Sequence, residues 1–163
     1  MNPAGPIVVE VRHFLGSVVI DAVSLAPASP EQEKERQVAV RDLLQNNLFE
    51  PAGGPGGPYA LRIGLADARL DLEITADGFS MRHLLSLMPF RRIVRDYLAI
   101  CATHYEATRN ATAAHIEAVD MGRRGLHNEG AAMLRERLQD KVTTDIATSR
   151  RLFTLLCALH WRG

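Results

Sequence analysis

The sequence predicts an α+β fold, in which a small antiparallel sheet comes first and packs on a C-terminal bundle of three to four helices. Apolar residues alternate with polar ones over 59–75, which indicates a β-hairpin, and from Ser86 onward they recur at helical spacing. The chain has 163 residues, 47% of them hydrophobic, with 19 basic and 19 acidic side chains. This composition excludes a disordered chain, a membrane span and a disulfide scaffold. We expect a single domain over 1–163, sheet-rich over 1–85 and helical over 86–163.

Two short N-terminal strands are expected over 7–15 and 17–23, which are rich in Val and Ile. Charged or polar residues at Glu10, Arg12 and His13 interrupt the apolar run, so no signal peptide is expected. With two cysteines and no apolar stretch long enough to span a bilayer, a reducing cytoplasm is the expected location.

The first helix has clear start and stop signals. Ser29 is predicted as its N-cap, Pro30 takes the first helical position and Gln32 completes a capping box. The helix should end near Asn46 or Asn47. Its predicted apolar stripe consists of Val40, Leu43, Leu44 and Leu48.

A Gly/Pro-rich linker and the remaining strands follow. Four glycines and three prolines over 51–58 cannot continue a helix or a strand, so this segment is predicted to be a flexible connection. The hairpin strands occupy 59–65 and 70–75, joined by a turn at 66–69. A third short strand is expected around 79–84, after the Asp-Gly turn.

Three helices are predicted for the second part of the chain. Ser86 should cap the first, a second should open near Thr112, and the last should run from about Asp145 to the C-terminus. Between 152 and 159 only Thr154 is polar, so the last helix is apolar on every side. Such a helix must lie at the centre of the fold or be covered by a second copy of the chain.

The segment 120–138 is the candidate functional region, because it places glycines 122, 125 and 130 inside a helical pattern. Each glycine costs a helix about 1 kcal/mol relative to alanine, so something should offset them. The structural interpretation is that they permit a turn or the close approach of another helix. The functional interpretation is that Gly-Arg-Arg-Gly resembles the Gly-x-x-Gly loop of KH domains, which clamps a nucleic-acid backbone.

A further interpretation is a polar pocket for an anionic small molecule near 123–129. The candidate ligand-binding residues are Gly122, Arg123, Arg124, Gly125, His127, Asn128 and Glu129. Asn128 could also serve as the N-cap of a separate helix over 129–139, a role that needs no ligand.

The sequence lacks the spacing patterns that are typical of metal sites and of serine nucleophiles. No two of the six histidines are three or four residues apart, so no metal site and no cofactor are predicted. There is no Gly-x-Ser-x-Gly motif, and Cys101 and Cys157 are expected to be buried apolar residues rather than reactive thiols. These observations favour a protein that is not an enzyme.

Three blocks resemble a known bacterial family. LSLMPFRRIVRDY (85–97), EAVDMGRRGLHNEGA (117–131) and RRLFTLLCALHWRG (150–163) are similar to Uncharacterised Protein Family 0262. The resemblance covers nearly the whole chain and implies a stand-alone bacterial cytoplasmic protein without an assigned activity. It transfers no catalytic residue to this sequence.

The sequence therefore predicts a small cytoplasmic interaction or regulatory protein. Its expected partners are a second copy of itself, bound through the apolar C-terminal helix, and an unidentified protein. RNA binding through the loop at 122–125 and an enzyme or binder of an anionic small molecule remain as alternatives. No membrane partner is expected.

Overall fold

The computed structural model describes residues 10–161. These residues form six strands and four α-helices, together with two short 3₁₀ turns at Ala22–Ser24 and Met88–Phe90. The elements in chain order are β1 (Leu15–Ile20), α1 (Pro30–Gln45), β2 (Phe49–Pro51), β3 (Tyr59–Ala66), β4 (Arg69–Ala76), β5 (Phe79–Ser86), α2 (Arg91–Asn110), α3 (Ala113–Leu138), β6 (Val142–Thr144) and α4 (Ile146–Ala158).

The main sheet has the strand order β1-β3-β4-β5. The α+β prediction is confirmed, but the sheet is mixed rather than antiparallel, because β1 pairs with β3 in parallel. The cause is α1, which carries the chain from the end of β1 back to the start of β3 and so leaves the two strands pointing the same way. A separate antiparallel pair is formed by β2 and β6.

The N-terminal strands differ from the prediction. Of the strand expected over 7–15, residues 7–9 lie outside the described residues and 10–14 form no strand. The strand expected over 17–23 is instead β1. It ends early because the chain turns after Asp21, where the Ser24 hydroxyl donates a 2.7 Å hydrogen bond to the Asp21 carbonyl oxygen.

Helix α1 begins and ends as predicted. Ser29 Oγ accepts from the Gln32 N–H, and Gln32 Oε1 accepts from the Ser29 N–H, both at 3.1 Å. The last helical residue is Gln45. Leu48, assigned to the apolar stripe, lies beyond the helix and is 40% exposed.

The Gly/Pro segment is held in place rather than being a simple flexible connection. Its first residue, Pro51, belongs to β2. Gly57 N–H donates to the Arg12 carbonyl and Gly56 N–H donates to the Tyr59 hydroxyl, both at 2.8 Å. One hydrogen bond to backbone and one to a side chain therefore hold the end of this segment, next to the start of β3.

The hairpin and the third strand are confirmed as β3, β4 and β5. The predicted helix start at Ser86 is wrong, because Ser86 still pairs with Arg69 in the ladder. The Ser86 hydroxyl accepts a long 3.4 Å hydrogen bond from the Met88 N–H, and α2 begins only at Arg91.

The last two helices start where predicted, and the structure shows a side-chain N-cap at each start. Thr112 Oγ1 accepts from the His115 N–H and Asp145 Oδ1 accepts from the Thr148 N–H. Of the two alternatives for the apolar C-terminal helix, the central position is the observed one. Leu155 is fully buried and Leu152 is 6% exposed, since α4 packs between α1 and α3. The surface predicted for dimerisation is therefore inside the chain.

Candidate functional site

The glycine-containing segment lies inside one continuous helix. Residues 120–131 all belong to α3, which runs without a break through glycines 122, 125 and 130. The expected Gly-x-x-Gly loop is therefore wrong, because a helix directs its backbone N–H groups to its own carbonyls. Asn128 is likewise not an N-cap, since it lies in the second half of α3.

Two of the three glycines allow close helix packing, as the structural interpretation proposed. A Cβ on Gly130 would lie 2.2 Å from Phe153 Cζ of α4, and one on Gly122 would lie 2.8 Å from Ile100 Cδ1 of α2. A Cβ on Gly125 would meet nothing within 4 Å.

The two neighbouring arginines, Arg123 and Arg124, share one carboxylate on the same helix. Arg123 donates to Asp120 Oδ1 through Nε at 3.0 Å and through an Nη at 2.7 Å, and Arg124 forms an ion pair with Asp120 Oδ2. These hydrogen bonds hold the pKa of Asp120 below its ordinary value. The sequence carries the signal for this pairing, because Asp120 precedes the arginines by three and four residues.

His127 is a packing residue rather than a pocket base. Its Nε2 lies 2.8 Å from Thr154 Oγ1, and its ring centroid lies 5.3 Å from that of Tyr97 and 5.5 Å from that of Phe153. Burial lowers the pKa of His127, and the positive charges of Arg123 and Arg150 lower it further. The neutral imidazole therefore links α2, α3 and α4.

A cleft between α3 and α4 contains one of the predicted site residues. It has a volume of about 520 Å³ and is lined in part by Asn128, Arg135, Thr143 and Arg150. Glu129, although next to Asn128, is exposed outside this lining. Arg135 and Arg150 were not predicted as site residues, because they are fifteen residues apart and line one cleft only when α4 folds back on α3.

A second depression lies between β1 and α1, with a volume of about 610 Å³. Apolar side chains of both elements line it: Val18, Ile20, Val40 and Leu44. Polar and charged side chains of α1 border it, including Glu33, Gln37 and Arg41. We call this surface the β1/α1 groove.

The groove runs along an open edge of the main sheet. Asp21 N–H donates to the Ile63 carbonyl of β3 at 2.8 Å, so by alternation the backbone groups of Val18 and Ile20 point away from β3. Within residues 10–161 these groups have no hydrogen-bond partner. At the N-terminal end of β1, the Asn47 side chain covers this edge, because its Oδ1 accepts a 2.7 Å hydrogen bond from the Leu15 N–H.

Cys157 is buried, as predicted, whereas Cys101 is half-buried and packs against the edge of the core. Cys157 is 2% exposed, and burial raises the pKa of its thiol well above the ordinary value. Burial also raises the pKa of Cys101. A raised pKa leaves little thiolate at neutral pH, and the thiolate is the nucleophilic form.

Residues 10–161 contain no group of three or more His, Cys, Asp or Glu side chains arranged to hold a metal ion. Over the same range, no helix is long and apolar enough to cross a bilayer.

Comparison with known proteins identifies relatives over nearly the whole chain. The model of the Uncharacterised protein family (UPF0262) matches residues 12–162. The chain is 56% identical to a UPF0262 protein of Phenylobacterium zucineum and 58% identical to one of Caulobacter vibrioides, each over 93% of this chain and 96% of the relative. It is 54% identical to a UPF0262 protein of Rhizobium meliloti, over 91% and 95% respectively. No solved structure matches the chain.

Proposed function

Since the chain belongs to the uncharacterised protein family UPF0262, as its sequence blocks indicated, we propose its function from the surfaces that it exposes. It is a non-enzymatic interaction protein that works as a symmetric homodimer, joined edge to edge through β1. This keeps the predicted homodimer but moves its interface from the C-terminal helix to the β1/α1 groove.

The observation that carries the proposal is the Val18–Ile20 edge of β1, which has no partner strand within residues 10–161. Its sequence, Leu-Gly-Ser-Val-Val-Ile, contains neither a charged residue nor a proline, two of the features that block edge-to-edge pairing. A third such feature, a register irregularity, lies between Leu15 and Ser17, before the Val18–Ile20 stretch. Val19 is 53% exposed on this strand. In contrast, the strand at the other edge, β5, carries Arg82 and His83.

The edge is complementary to itself in an antiparallel arrangement. If Val19 of one copy lies opposite Val19 of the other, Val18 lies opposite Ile20 on both sides of the two-fold axis. The unpaired backbone groups of Val18 and Ile20 then exchange four hydrogen bonds. The two Val19 side chains form a non-hydrogen-bonded pair, in which facing side chains are closest.

Helix α1 adds charge complementarity to the same interface. Glu33, Gln37 and Arg41 follow one another at four-residue intervals, so they share one face of the helix. The two-fold axis makes the two copies of α1 antiparallel, which brings Glu33 toward Arg41 of the second copy. The Glu33 side chain is 50% exposed, and its Oε1 lies 3.3 Å from Arg36 Nη1 in the same copy. Arg41 has no ion-pair partner within the described part of the chain.

A non-enzymatic role is supported by the surroundings of three potentially reactive side chains, each of which is buried, packed or ion-paired. Burial disfavours the thiolate of Cys157, His127 is packed between aromatic rings, and Asp120 is engaged by two arginines. The proposal retains the cytoplasmic location and an unidentified protein partner for the dimer. RNA binding is not carried forward, because its support was a loop that the helix replaces.

The dimer is tested by light scattering of size-separated protein. The wild-type chain, of 18.0 kDa, should have twice that mass, whereas Val19→Lys should have the mass of one chain, because it places two like charges opposite each other. Ser80→Lys is the matched control, since it adds the same charge on the exposed face of β5 and should remain dimeric. A wild-type protein that stays at 18.0 kDa throughout the micromolar range overturns the proposal.

Charge reversal tests the contribution of α1. Glu33→Arg and Arg41→Glu should each weaken the dimer, and the double variant should restore much of the affinity because the opposite charges face each other again. Circular dichroism checks that each variant remains folded. Equal dimer affinity in all four proteins would contradict the assigned helix pairing.

A further inference from the structure

The cleft between α3 and α4 combines two arginines from different helices. Arg135 comes from the last turn of α3 and Arg150 from the second turn of α4, and both are exposed toward solvent. Within residues 10–161 neither lies within 4 Å of a carboxylate. Their situation differs from that of Arg123 and Arg124, which both form ion pairs with Asp120.

One of the two guanidinium groups is already positioned. Arg135 Nε donates to the Thr144 carbonyl at 2.9 Å, which fixes the plane of the guanidinium and leaves its terminal nitrogens to donate elsewhere. Such a planar pair of donors matches the two oxygens of a carboxylate or phosphate. Fixing the group beforehand also reduces the entropy lost on binding.

The rest of the lining suits a small molecule with an apolar part. Ala131 and Ala132 of α3 and Ile146 of α4 line the cleft, and Ile146 is 56% exposed. The Asn128 amide and the Thr143 hydroxyl supply further polar groups. Glu136 is the only carboxylate in this lining, so the two arginines leave the cleft with a net positive charge.

We infer that this cleft binds a small organic anion, a carboxylate or phosphate ester with a short apolar body. The volume of about 520 Å³ is within the usual range for ligand pockets. Arg135 and Arg150 hold the anionic group, and the Ala/Ile side contacts the apolar body. The site is independent of the β1/α1 groove, which lies between other elements.

The inference is tested with three probes: phenyl phosphate, benzoate and, as the neutral control, benzyl alcohol. Each is titrated into isotopically labelled full-length protein, and backbone amide signals are followed by NMR. Phenyl phosphate or benzoate should shift signals around residues 128–150 saturably, and the affinity should fall with added salt. Benzyl alcohol should cause no saturable shift.

Substitutions distinguish this site from general attraction of anions. Arg135→Gln and Arg150→Gln should each weaken binding about tenfold, because each removes charge-assisted hydrogen bonds. Arg137→Gln, on the same helix but outside the cleft lining, should leave the affinity unchanged. Glu136→Gln should strengthen binding by removing the opposing charge.

The inference is overturned if neither anion gives a saturable shift, or if Arg137→Gln weakens binding as much as the two cleft variants do. Binding that shifts only signals outside 128–150 would also contradict it. Because the oligomeric state plays no part in these readouts, the result does not depend on the proposed homodimer.

Discussion

Replacement of Gly130 by alanine tests the close approach of α3 and α4. An added Cβ would lie 2.2 Å from Phe153 Cζ and 2.4 Å from Cε2, whereas carbon atoms pack best at about 3.5–4.0 Å. Phe153 is fully buried, so its ring cannot turn into solvent. The two helices must therefore separate, or the ring must leave its present position.

The magnitude follows from two opposing terms. Overpacking a core costs about 1–3 kcal/mol, and values above that range occur when rigid groups collide. Replacing a mid-helix glycine by alanine returns about 1 kcal/mol of helix propensity. For Gly130→Ala we expect the free energy of unfolding to fall by about 2 kcal/mol, since the collision involves an aromatic ring.

Gly125→Ala is the matched control, because it makes the same change on the same helix in open space. It should raise the free energy of unfolding by up to about 1 kcal/mol. Gly122→Ala should have a smaller effect of either sign, since its Cβ meets only the mobile end of Ile100.

Urea denaturation followed by circular dichroism measures the difference. With a slope of about 2 kcal/mol per molar urea, the midpoints of the Gly130 and Gly125 variants should differ by about 1.5 M. A Gly130→Ala protein that unfolds at or above the wild-type midpoint would refute the proposed helix packing.

Three further predictions concern other buried groups. Burial lowers the pKa of His127, so the unfolded chain binds its proton more readily. The free energy of unfolding should thus fall as pH drops through the unfolded pKa of about 6.5, and His127→Gln should reduce that dependence. Buried Arg36 donates to the Ala158 and Leu159 carbonyls at 2.9 and 3.1 Å. Arg36→Met leaves both carbonyls without a donor, so it should lower the free energy of unfolding, measured by urea denaturation, by about 2 kcal/mol. Unchanged stability would contradict this role. In a Cys101→Ser background, Cys157 should react with Ellman's reagent only after unfolding, and rapid native reaction would contradict its burial.

Local signals made part of the fold predictable from the sequence. The capping box of Ser29 and Gln32, and the helix starts near Thr112 and Asp145, each depend on residues within one helical turn. The β3–β4 hairpin likewise follows from alternation over adjacent residues. Such features depend little on the rest of the molecule, and the structure has them where the sequence predicted them.

Features that depend on distant segments were not predictable in the same way. The parallel pairing of β1 with β3 depends on how α1 returns the chain, and the role of Gly130 depends on Phe153, which lies on another helix. The sequence therefore left two interpretations of the candidate segment open, a loop or glycines that permit close helix packing, and the structure shows a continuous helix. Arg135 and Arg150 likewise line the same cleft only after α4 folds back.

Disulfide trapping tests the central claim, self-association through β1, most directly. In an antiparallel β1–β1 pair the two copies of residue 19 would lie opposite each other, with Cα atoms about 4.5 Å apart, which is within disulfide range. In a Cys101→Ser background, Val19→Cys should form a covalent dimer under mild oxidation, and Ser80→Cys on β5 should not. Absence of the Val19→Cys dimer, or equal yields from the two variants, would contradict the proposed interface.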